Sequence, residues 1–135
     1  MVFSGRLQLW RPLLRWGAGV GVAGLLSIAA VQAREQWAVL PPVAVAALPA
    51  EAQSVESAIR RGGPFAYPKD GIVFANRERL LPEQPRGFYR EYTVPTPGAH
   101  DRGARRIVCG GSQPTAPVAC YYTANHYSSF HRITP

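Results

Sequence analysis

A single carboxylate lies among aromatic and β-branched residues in the stretch FYREYTV, and three arginines follow it in DRGARRIV. Alternation along a strand would place Tyr89, Glu91 and Thr93 on one face of a sheet, with Phe88, Tyr92 and Val94 on the other. If Ile107 of the next strand packs inward, its neighbour Arg106 joins Glu91 on the open face. Because a carboxylate beside guanidinium groups is more often a structural ion pair than a catalytic one, this pattern leaves both interpretations open.

Arg102 and His126 extend this set to groups that could act together on a phosphodiester. Arg102 lies in the loop before the second strand, and His126 lies in a predicted turn between two later strands. Cleavage of RNA needs a base for the 2′-hydroxyl, an acid for the departing 5′-oxygen and cations for the phosphorane charge. The chain offers Glu91, His126 and the two arginines for these tasks. A lone loop histidine is usually only solvated; among its rivals, His100 looks exposed and His131 looks structural.

Other kinds of site are not indicated by the sequence. No cluster of histidine, cysteine and aspartate has metal-ligand spacing, and two cysteines alone cannot form a zinc site, so neither a metal nor a cofactor is expected. A glycine-rich phosphate loop and a serine nucleophile elbow are also missing. Lysine and arginine number 15 against 8 acids, a formal charge of +7, and only one of these cations is a lysine. This excess favours a polyanionic partner, either nucleic acid or an anionic membrane surface.

The N-terminal residues have the pattern of an export signal. Three arginines precede an uncharged run, residues 16–33, which ends in the small-residue cleavage pattern VQA. Several glycines dilute the hydrophobicity of the run and favour a cleaved signal, residues 1–33, over the alternative of an uncleaved anchor. Export would place Cys109 and Cys120 in an oxidising compartment, where two thiols in a small domain usually form a disulfide.

A tether and a helix are predicted after the signal. Residues 34–46 contain a Pro-Pro pair and no helical period, which indicates a tether or disordered segment before a domain that spans 47–135. Ala52, Val55 and Ile59 then recur at helical spacing, with an acid in the first turn and two arginines in the last. A Gly-Gly pair follows, so the pattern predicts one amphipathic helix.

Short β-rich runs separated by glycine and proline follow the helix. They comprise residues 71–76, 88–94, 104–109, 118–123 and 129–133. Strands in series without intervening helices predict an antiparallel sheet. The expected fold class is therefore α+β, with one N-terminal helix packed on a twisted antiparallel sheet of about five strands.

Four blocks of the sequence carry a likeness to a known family. GPFAYPKDGIVFANRE, YREYTVPTPGA, RGARRIVCG and HYSSF resemble, in order and spacing, the guanyl-specific microbial ribonucleases of the barnase-like family, especially its short secreted bacterial members. The resemblance runs from about Ala47 to Ile133. It implies the microbial ribonuclease fold and an enzyme that cleaves single-stranded RNA 3′ of guanosine. The reaction would pass through a 2′,3′-cyclic phosphate to a 3′-phosphate and would need no metal or cofactor.

The resemblance also implies roles for individual catalytic residues. The glutamate of the EYTV block is the family's general base, here Glu91, and the histidine of the HY block is its general acid, here His126. The phosphate-binding arginines of the RGxRR block fall on Arg102 and Arg106, with Tyr127 beside the phosphate.

The resemblance assigns recognition of the base to the loop after the first strand, which here comprises residues 74–78, FANRE. The Glu78 carboxylate can accept the guanine N1–H and 2-amino donors together, while backbone N–H groups around Asn76 and Arg77 face O6. Phe74 and the Arg77 guanidinium can stack on the ring. The alternative for Glu78 is a solvated turn acid paired with Arg77 or Arg79.

Two other classes of function remain open on the sequence. One is a non-catalytic exported module of the same fold that binds RNA or an inhibitor, and the other is a membrane-tethered basic protein whose arginines bind anionic lipid. An intact Glu91 and His126 favour the enzyme, because binding alone requires neither. The resemblance further implies an acidic barstar-like inhibitor as a partner, and no stable membrane association is expected after signal cleavage.

Overall fold

The computed structural model describes residues 39–135, so the predicted export signal lies outside the described part of the chain. Within that part, one α-helix and one short 3-10 helix accompany five strands. The elements are β1 (Val39–Ala44), a 3-10 turn (Val45–Ala47), α1 (Ala50–Arg61), β2 (Tyr89–Thr93), β3 (Arg106–Gly110), β4 (Ala119–Thr123) and β5 (Phe130–Thr134). None of the helices in residues 39–135 is long and apolar enough to cross a membrane.

Helix α1 forms where the periodicity predicts it. Pro49 precedes its first turn, and Gly62 ends it in the left-handed conformation, with φ of 81°. This conformation is the usual C-terminal stop of a helix, because glycine adopts it without steric cost. Ala52 and Ile59 are buried against the sheet. The prediction of one helix packed on a sheet is confirmed.

The sheet has the strand order β1-β5-β4-β3-β2. The pairs β2–β3, β3–β4 and β4–β5 are antiparallel, as predicted, whereas β1 is parallel to β5. The sheet is therefore mixed, and its one parallel pair comes from a segment that the sequence did not assign to it.

For residues 39–46 the expectation of a tether or disordered segment is wrong. Residues 39–44 form β1, and the Pro41 carbonyl oxygen lies 2.7 Å from His131 Nδ1 of β5. A Pro-Pro pair is compatible with a strand here because β1 lies at the edge of the sheet, where missing backbone donors are tolerated. The folded domain therefore begins before residue 47.

The run 71–76 also differs from the prediction, since it makes only an isolated bridge between Val73 and Arg90. Backbone hydrogen bonds still attach it to the outer edge of β2, among them Gly71 N–H to the Glu91 carbonyl oxygen at 2.8 Å. Gly71 and Asn76 have positive φ values of 86° and 49°, which bend the backbone on either side. The run therefore covers the edge of β2 without becoming a regular strand.

Each face of the sheet covers its own hydrophobic cluster. The helix-side cluster includes Tyr92, Val94 and Ile107, and the opposite cluster includes Tyr89 and Val108. This division confirms the predicted alternation within the two strands. Phe88 is the exception: it precedes β2 and packs against the cluster of Tyr89 and not, as predicted, with Tyr92. Side chains that alternate along the strands with members of the helix-side cluster therefore lie on the opposite face.

The disulfide between Cys109 and Cys120 is confirmed. These residues are direct cross-strand partners in β3 and β4, and their Cα atoms are 4.1 Å apart. Both are buried in the helix-side cluster. The bridge thus lies on the opposite face of β3 from Arg106.

Replacing both cysteines with alanine should lower the free energy of unfolding by about 3 kcal/mol, because the sequence separation of 11 residues closes a loop in the unfolded chain. Chemical denaturation of the oxidised protein and of the C109A/C120A variant measures the difference. A reductant should destabilise the wild type and leave the variant unchanged. Equal stability of the two oxidised proteins would contradict this prediction.

Candidate active site

Arg106 is a buried cation at the centre of the site, with only 3% of its surface exposed. It is the cross-strand partner of Thr93. Its Nη1 donates to the carbonyl oxygens of Gly103 at 2.9 Å and Arg105 at 2.8 Å. Its Nε is fully buried and has no hydrogen-bond partner within residues 39–135. A buried guanidinium with an unused donor is suited to bind an anion, because leaving such a donor unpaired is costly.

The loop before β3 can curl around this guanidinium because of Gly103. Its φ of 63° lies in the left-handed region, and a Cβ at this position would lie 2.6 Å from the Thr96 hydroxyl oxygen. Any larger residue would meet both a backbone strain and a steric clash. Glycine is therefore needed for the tight approach of the loop to Arg106.

Arg102 places a second guanidinium beside Glu91. Its Nη2 lies 3.9 Å from Glu91 Oε1, and the exposed fractions of the two side chains are 27% and 13%. Nε and Nη2 of Arg102 also donate to the Thr93 hydroxyl, at 3.1 and 2.7 Å. The guanidinium carbon lies 5.9 Å from the centre of the Tyr67 ring. The structure thus brings Arg102 to Glu91, and Arg106 lies on the same face of the sheet.

Tyr127 lies against both the carboxylate and the buried guanidinium. Burial raises the pKa of its phenol, the negative charge of Glu91 raises it further, and Arg106 lowers it in part. A tyrosine phenol is protonated at physiological pH even at its ordinary pKa, and the raised pKa of Tyr127 keeps it so, which leaves it able to act as a hydrogen-bond donor. Its ring stacks on Phe74, with centroids 5.1 Å apart and planes inclined by 29°.

His126 is carried by a turn that side-chain hydrogen bonds close. The Thr123 hydroxyl accepts from the backbone N–H of Tyr127 at 3.2 Å and donates to Asn125 Oδ1 at 3.0 Å. The backbone N–H of His126 donates to the Ala104 carbonyl oxygen at 3.0 Å, which joins this turn to the arginine-bearing loop. The imidazole is exposed, and its centre lies 4.8 Å from that of the Tyr127 ring.

The other two histidines lie as the sequence analysis expects. His131 is hydrogen bonded between strands β5 and β1, and His100 is exposed in the loop after β2. His126 is thus the histidine whose ring contacts a residue of the Glu91 and Arg106 cluster.

A cavity of about 370 Å³ adjoins this cluster. Its lining includes Glu91, Tyr127 and all four residues to which the resemblance assigns base recognition, namely Phe74, Asn76, Arg77 and Glu78. Arg77 and Glu78 are exposed, so the cavity opens to solvent on their side. The carboxylate of Glu91 and the predicted recognition loop therefore face the same space.

Asn76 fixes the shape of this loop. Its side chain donates to the Leu81 carbonyl oxygen at 2.9 Å and accepts from the Leu81 N–H at 3.1 Å. Its backbone has φ of 49°, a conformation that asparagine tolerates better than most residues. The backbone N–H groups of Asn76 and Arg77 donate to no group within residues 39–135 and are free for a ligand.

Sequence reasoning did not single out the partners of Arg102. Thr93 lies two residues after Glu91 on the same strand face, which is a signal that could have revealed it. Tyr67 carries no comparable signal, because its loop meets Arg102 only in the fold. Within the part of the chain that the structure describes, no group of three or more histidine, cysteine or acidic residues could hold a metal ion.

Comparison with known proteins gives consistent matches. Residues 32–134 match the family model described as ribonuclease. Over 91 residues the chain is 50% identical to guanyl-specific ribonucleases Sa3 and Sa of Kitasatospora aureofaciens; each alignment covers 67% of this chain. It spans 62% of Sa3, less than two thirds of that protein, and 91% of Sa. Guanyl-specific ribonuclease St of Saccharopolyspora erythraea is 49% identical over 92 residues, which cover 68% of this chain and 85% of St.

Solved structures of ribonuclease Sa2 are similar to this fold. The structure of its complexes with mononucleotides has a TM-score of 0.64 and 41% identity, and the match covers 74% of this chain and 96% of that chain. The structure with guanosine-2′-cyclophosphate also has a TM-score of 0.64, with 42% identity, and the match covers 71% of this chain and 98% of that chain.

Replacing Asn76 with alanine should lower the free energy of unfolding by about 2 to 3 kcal/mol, through two lost hydrogen bonds and an unfavourable positive φ. Asn76→Gly loses the same hydrogen bonds without the steric cost, so it should be less destabilised than Asn76→Ala. Thermal and denaturant unfolding of both variants provide the measurement. Equal losses would show that the backbone conformation at this position contributes nothing.

Proposed function

This chain belongs to the family of guanyl-specific microbial ribonucleases, and we propose that it cleaves single-stranded RNA on the 3′ side of guanosine. The observation that carries the proposal is the buried Arg106 guanidinium, whose Nε has no partner within residues 39–135 and which lies against Tyr127 together with Glu91. Ribonuclease Sa2, whose solved structures include complexes with guanosine-2′-cyclophosphate and 3′-GMP, supports both the guanine preference and the cyclic phosphate.

In the first step Glu91 accepts the proton of the guanosine 2′-hydroxyl, and the 2′-oxygen attacks phosphorus. The bond from phosphorus to the 5′-oxygen breaks, and His126 protonates the departing oxygen. Arg102 and Arg106 stabilise the charge that develops on the non-bridging oxygens. Tyr127, whose phenol is protonated, donates a hydrogen bond beside the phosphate.

The second step is the hydrolysis of the 2′,3′-cyclic phosphate. His126, now neutral, takes a proton from the attacking water, and the bond from phosphorus to the 2′-oxygen breaks. Glu91 returns its proton to the 2′-oxygen. The product is a 3′-phosphate, and both residues regain their initial protonation states without any metal.

Guanine occupies the cavity of about 370 Å³ in this proposal. Glu78 accepts the N1–H and 2-amino donors, and the free N–H groups at Asn76 and Arg77 donate to O6. Phe74 and Arg77 supply the stacking surfaces. Adenine lacks the two donors and would turn its amino group toward the backbone amides, so the site rejects it.

Export and an inhibitor partner are further parts of the proposal. The arginines and apolar run of residues 1–33 support an export signal, and the Cys109–Cys120 disulfide fits an oxidising compartment. After cleavage of the signal the domain keeps no stable membrane association. An acidic barstar-like inhibitor would match the arginine-bearing face by charge, and would protect the producing cell before export.

The exported protein should cleave guanosine dinucleotides at an unchanged rate in excess EDTA. It should favour them over the adenosine, cytidine and uridine dinucleotides by several orders of magnitude, because the other bases leave the Glu78 carboxylate and the backbone N–H groups of Asn76 and Arg77 without partners in the complex. Glu78→Ala should reduce kcat/KM for guanosine dinucleotides by about 100-fold or more while the unfolding temperature changes little. Activity lost in the chelator, or equal cleavage after all four bases, would refute the proposal.

Replacing the 5′-nucleoside with nitrophenol should distinguish the acid from the base. Glu91→Ala and His126→Ala should both slow cleavage of a natural guanosine dinucleotide by about 100- to 10,000-fold. Nitrophenolate leaves without protonation, so His126→Ala should recover most of its rate on that substrate while Glu91→Ala stays slow. Hydrolysis of the cyclic phosphate should remain slow in His126→Ala. His100→Ala serves as the control. Equal rescue of both site variants, or of neither, would show that the roles of base and acid are wrongly assigned to Glu91 and His126.

A further inference from the structure

The guanidinium of Arg102 is held from two sides by residues that neither bind guanine nor transfer protons in the proposed mechanism. The Thr93 hydroxyl accepts from Nε at 3.1 Å and from Nη2 at 2.7 Å. The face of the Tyr67 ring lies 5.9 Å from the guanidinium carbon, within the range of a cation–π contact. These contacts engage two of the five N–H donors of Arg102 and leave the others available.

The distance between Arg102 and Glu91 shows what this arrangement prevents. An arginine next to a carboxylate commonly forms a pair of hydrogen bonds with N–O distances of about 2.7 to 2.9 Å. The shortest distance here is 3.9 Å, which is too long for a hydrogen bond. A direct bond would occupy the oxygen that must accept the 2′-hydroxyl proton and the donors that must reach the phosphate.

A single carboxylate fixes both of the residues that hold Arg102. Asp70 Oδ1 accepts from the Thr93 backbone N–H at 2.7 Å, and Asp70 Oδ2 accepts from the Tyr67 backbone N–H at 3.2 Å. Thr93 is also 2% exposed at the end of β2, so packing restricts its rotamer. These two hydrogen bonds thus hold the loop that carries Tyr67 in a fixed position against the strand that carries Glu91 and Thr93.

We propose that Thr93 and Tyr67 are positioning residues, which hold Arg102 away from Glu91 and aim its free N–H donors at the scissile phosphate. The assignment of that anion rests on the proposed function. The positioning of the Arg102 guanidinium by Thr93 and Tyr67 does not rest on it, because any bound phosphate would depend on the same N–H donors. Binding of inorganic phosphate therefore tests the inference separately from cleavage of RNA.

The first experiment measures the dissociation constant of inorganic phosphate by calorimetry or by chemical-shift titration. Thr93→Val keeps the shape of the side chain and removes the hydroxyl, and it should weaken binding by about tenfold. Thr93→Ser restores the hydroxyl and should bind within about twofold of the wild type. Thr115→Val makes the same exchange at an exposed position in the β3–β4 loop and should change nothing.

Tyr67 offers a second pair of variants at a half-buried loop position, which keeps the inference testable if Thr93→Val fails to fold. Tyr67→Leu removes the aromatic face and should weaken phosphate binding by about 2- to 5-fold. Tyr67→Phe keeps that face and should bind like the wild type. Equal losses in Tyr67→Leu and Tyr67→Phe would show that the ring face does not hold the arginine.

The decisive measurement repeats Thr93→Val in an Arg102→Ala background. If Thr93 acts through Arg102, its loss should change phosphate affinity less than twofold there. In the intact background it should also lower kcat/KM for guanosine dinucleotides by about 10- to 100-fold, because the cation is misplaced. Equal effects in both backgrounds, or none in either, would overturn the inference. A wild type that binds phosphate with this pattern and cleaves no RNA would overturn only the proposed function.

Discussion

The burial of one guanidinium is the constraint on which the candidate site depends. A charge inside a sheet is tolerated only when fixed dipoles surround it, and Arg106 obtains them from the carbonyl groups of its own preceding loop. To supply them the loop must curl at Gly103, and that curl brings Arg102 back over β2. The carbonyl of Ala104, between the two that serve Arg106, accepts from the turn of His126. One short loop thus satisfies the buried charge and also collects the other functional groups around it.

The two faces of strand β3 carry different kinds of residue: one contributes to the core, and the other contributes to the candidate site. Ile107 and Cys109 point to the helix and build the larger cluster, while Arg106 and Val108 point to the opposite side. All five residues of the strand are buried. The disulfide can therefore stabilise the strand from the helix side, while the polar groups of the candidate site lie on the other face.

Periodic patterns in the sequence were sufficient to predict the helix and the facing of residues along the strands. The helix over residues 50–61 and the facing of Glu91 and Arg106 follow from periodicities of 3.6 and 2 residues. Strand β1 was missed because Pro41 and Pro42 oppose a regular strand, and its pairing with β5 is specified by residues some 90 positions away along the chain. The meeting of Tyr67 with Arg102 was inaccessible for a similar reason, since it depends on how Asp70 joins a loop to a strand. Long-range hydrogen bonds of this kind leave no period in the sequence.

The two prolines that conceal β1 in the sequence have a consequence for association between molecules. Neither proline has an N–H to donate, and the register of β1 against β5 shifts between Leu40 and Val43, the two residues that flank them. A strand from another chain would find an interrupted ladder there. At the other end of the sheet, residues 71–74 already occupy the edge of β2. Both borders of the sheet are thus poor templates for edge-to-edge aggregation, a protection that many sheet proteins obtain with charges or bulges.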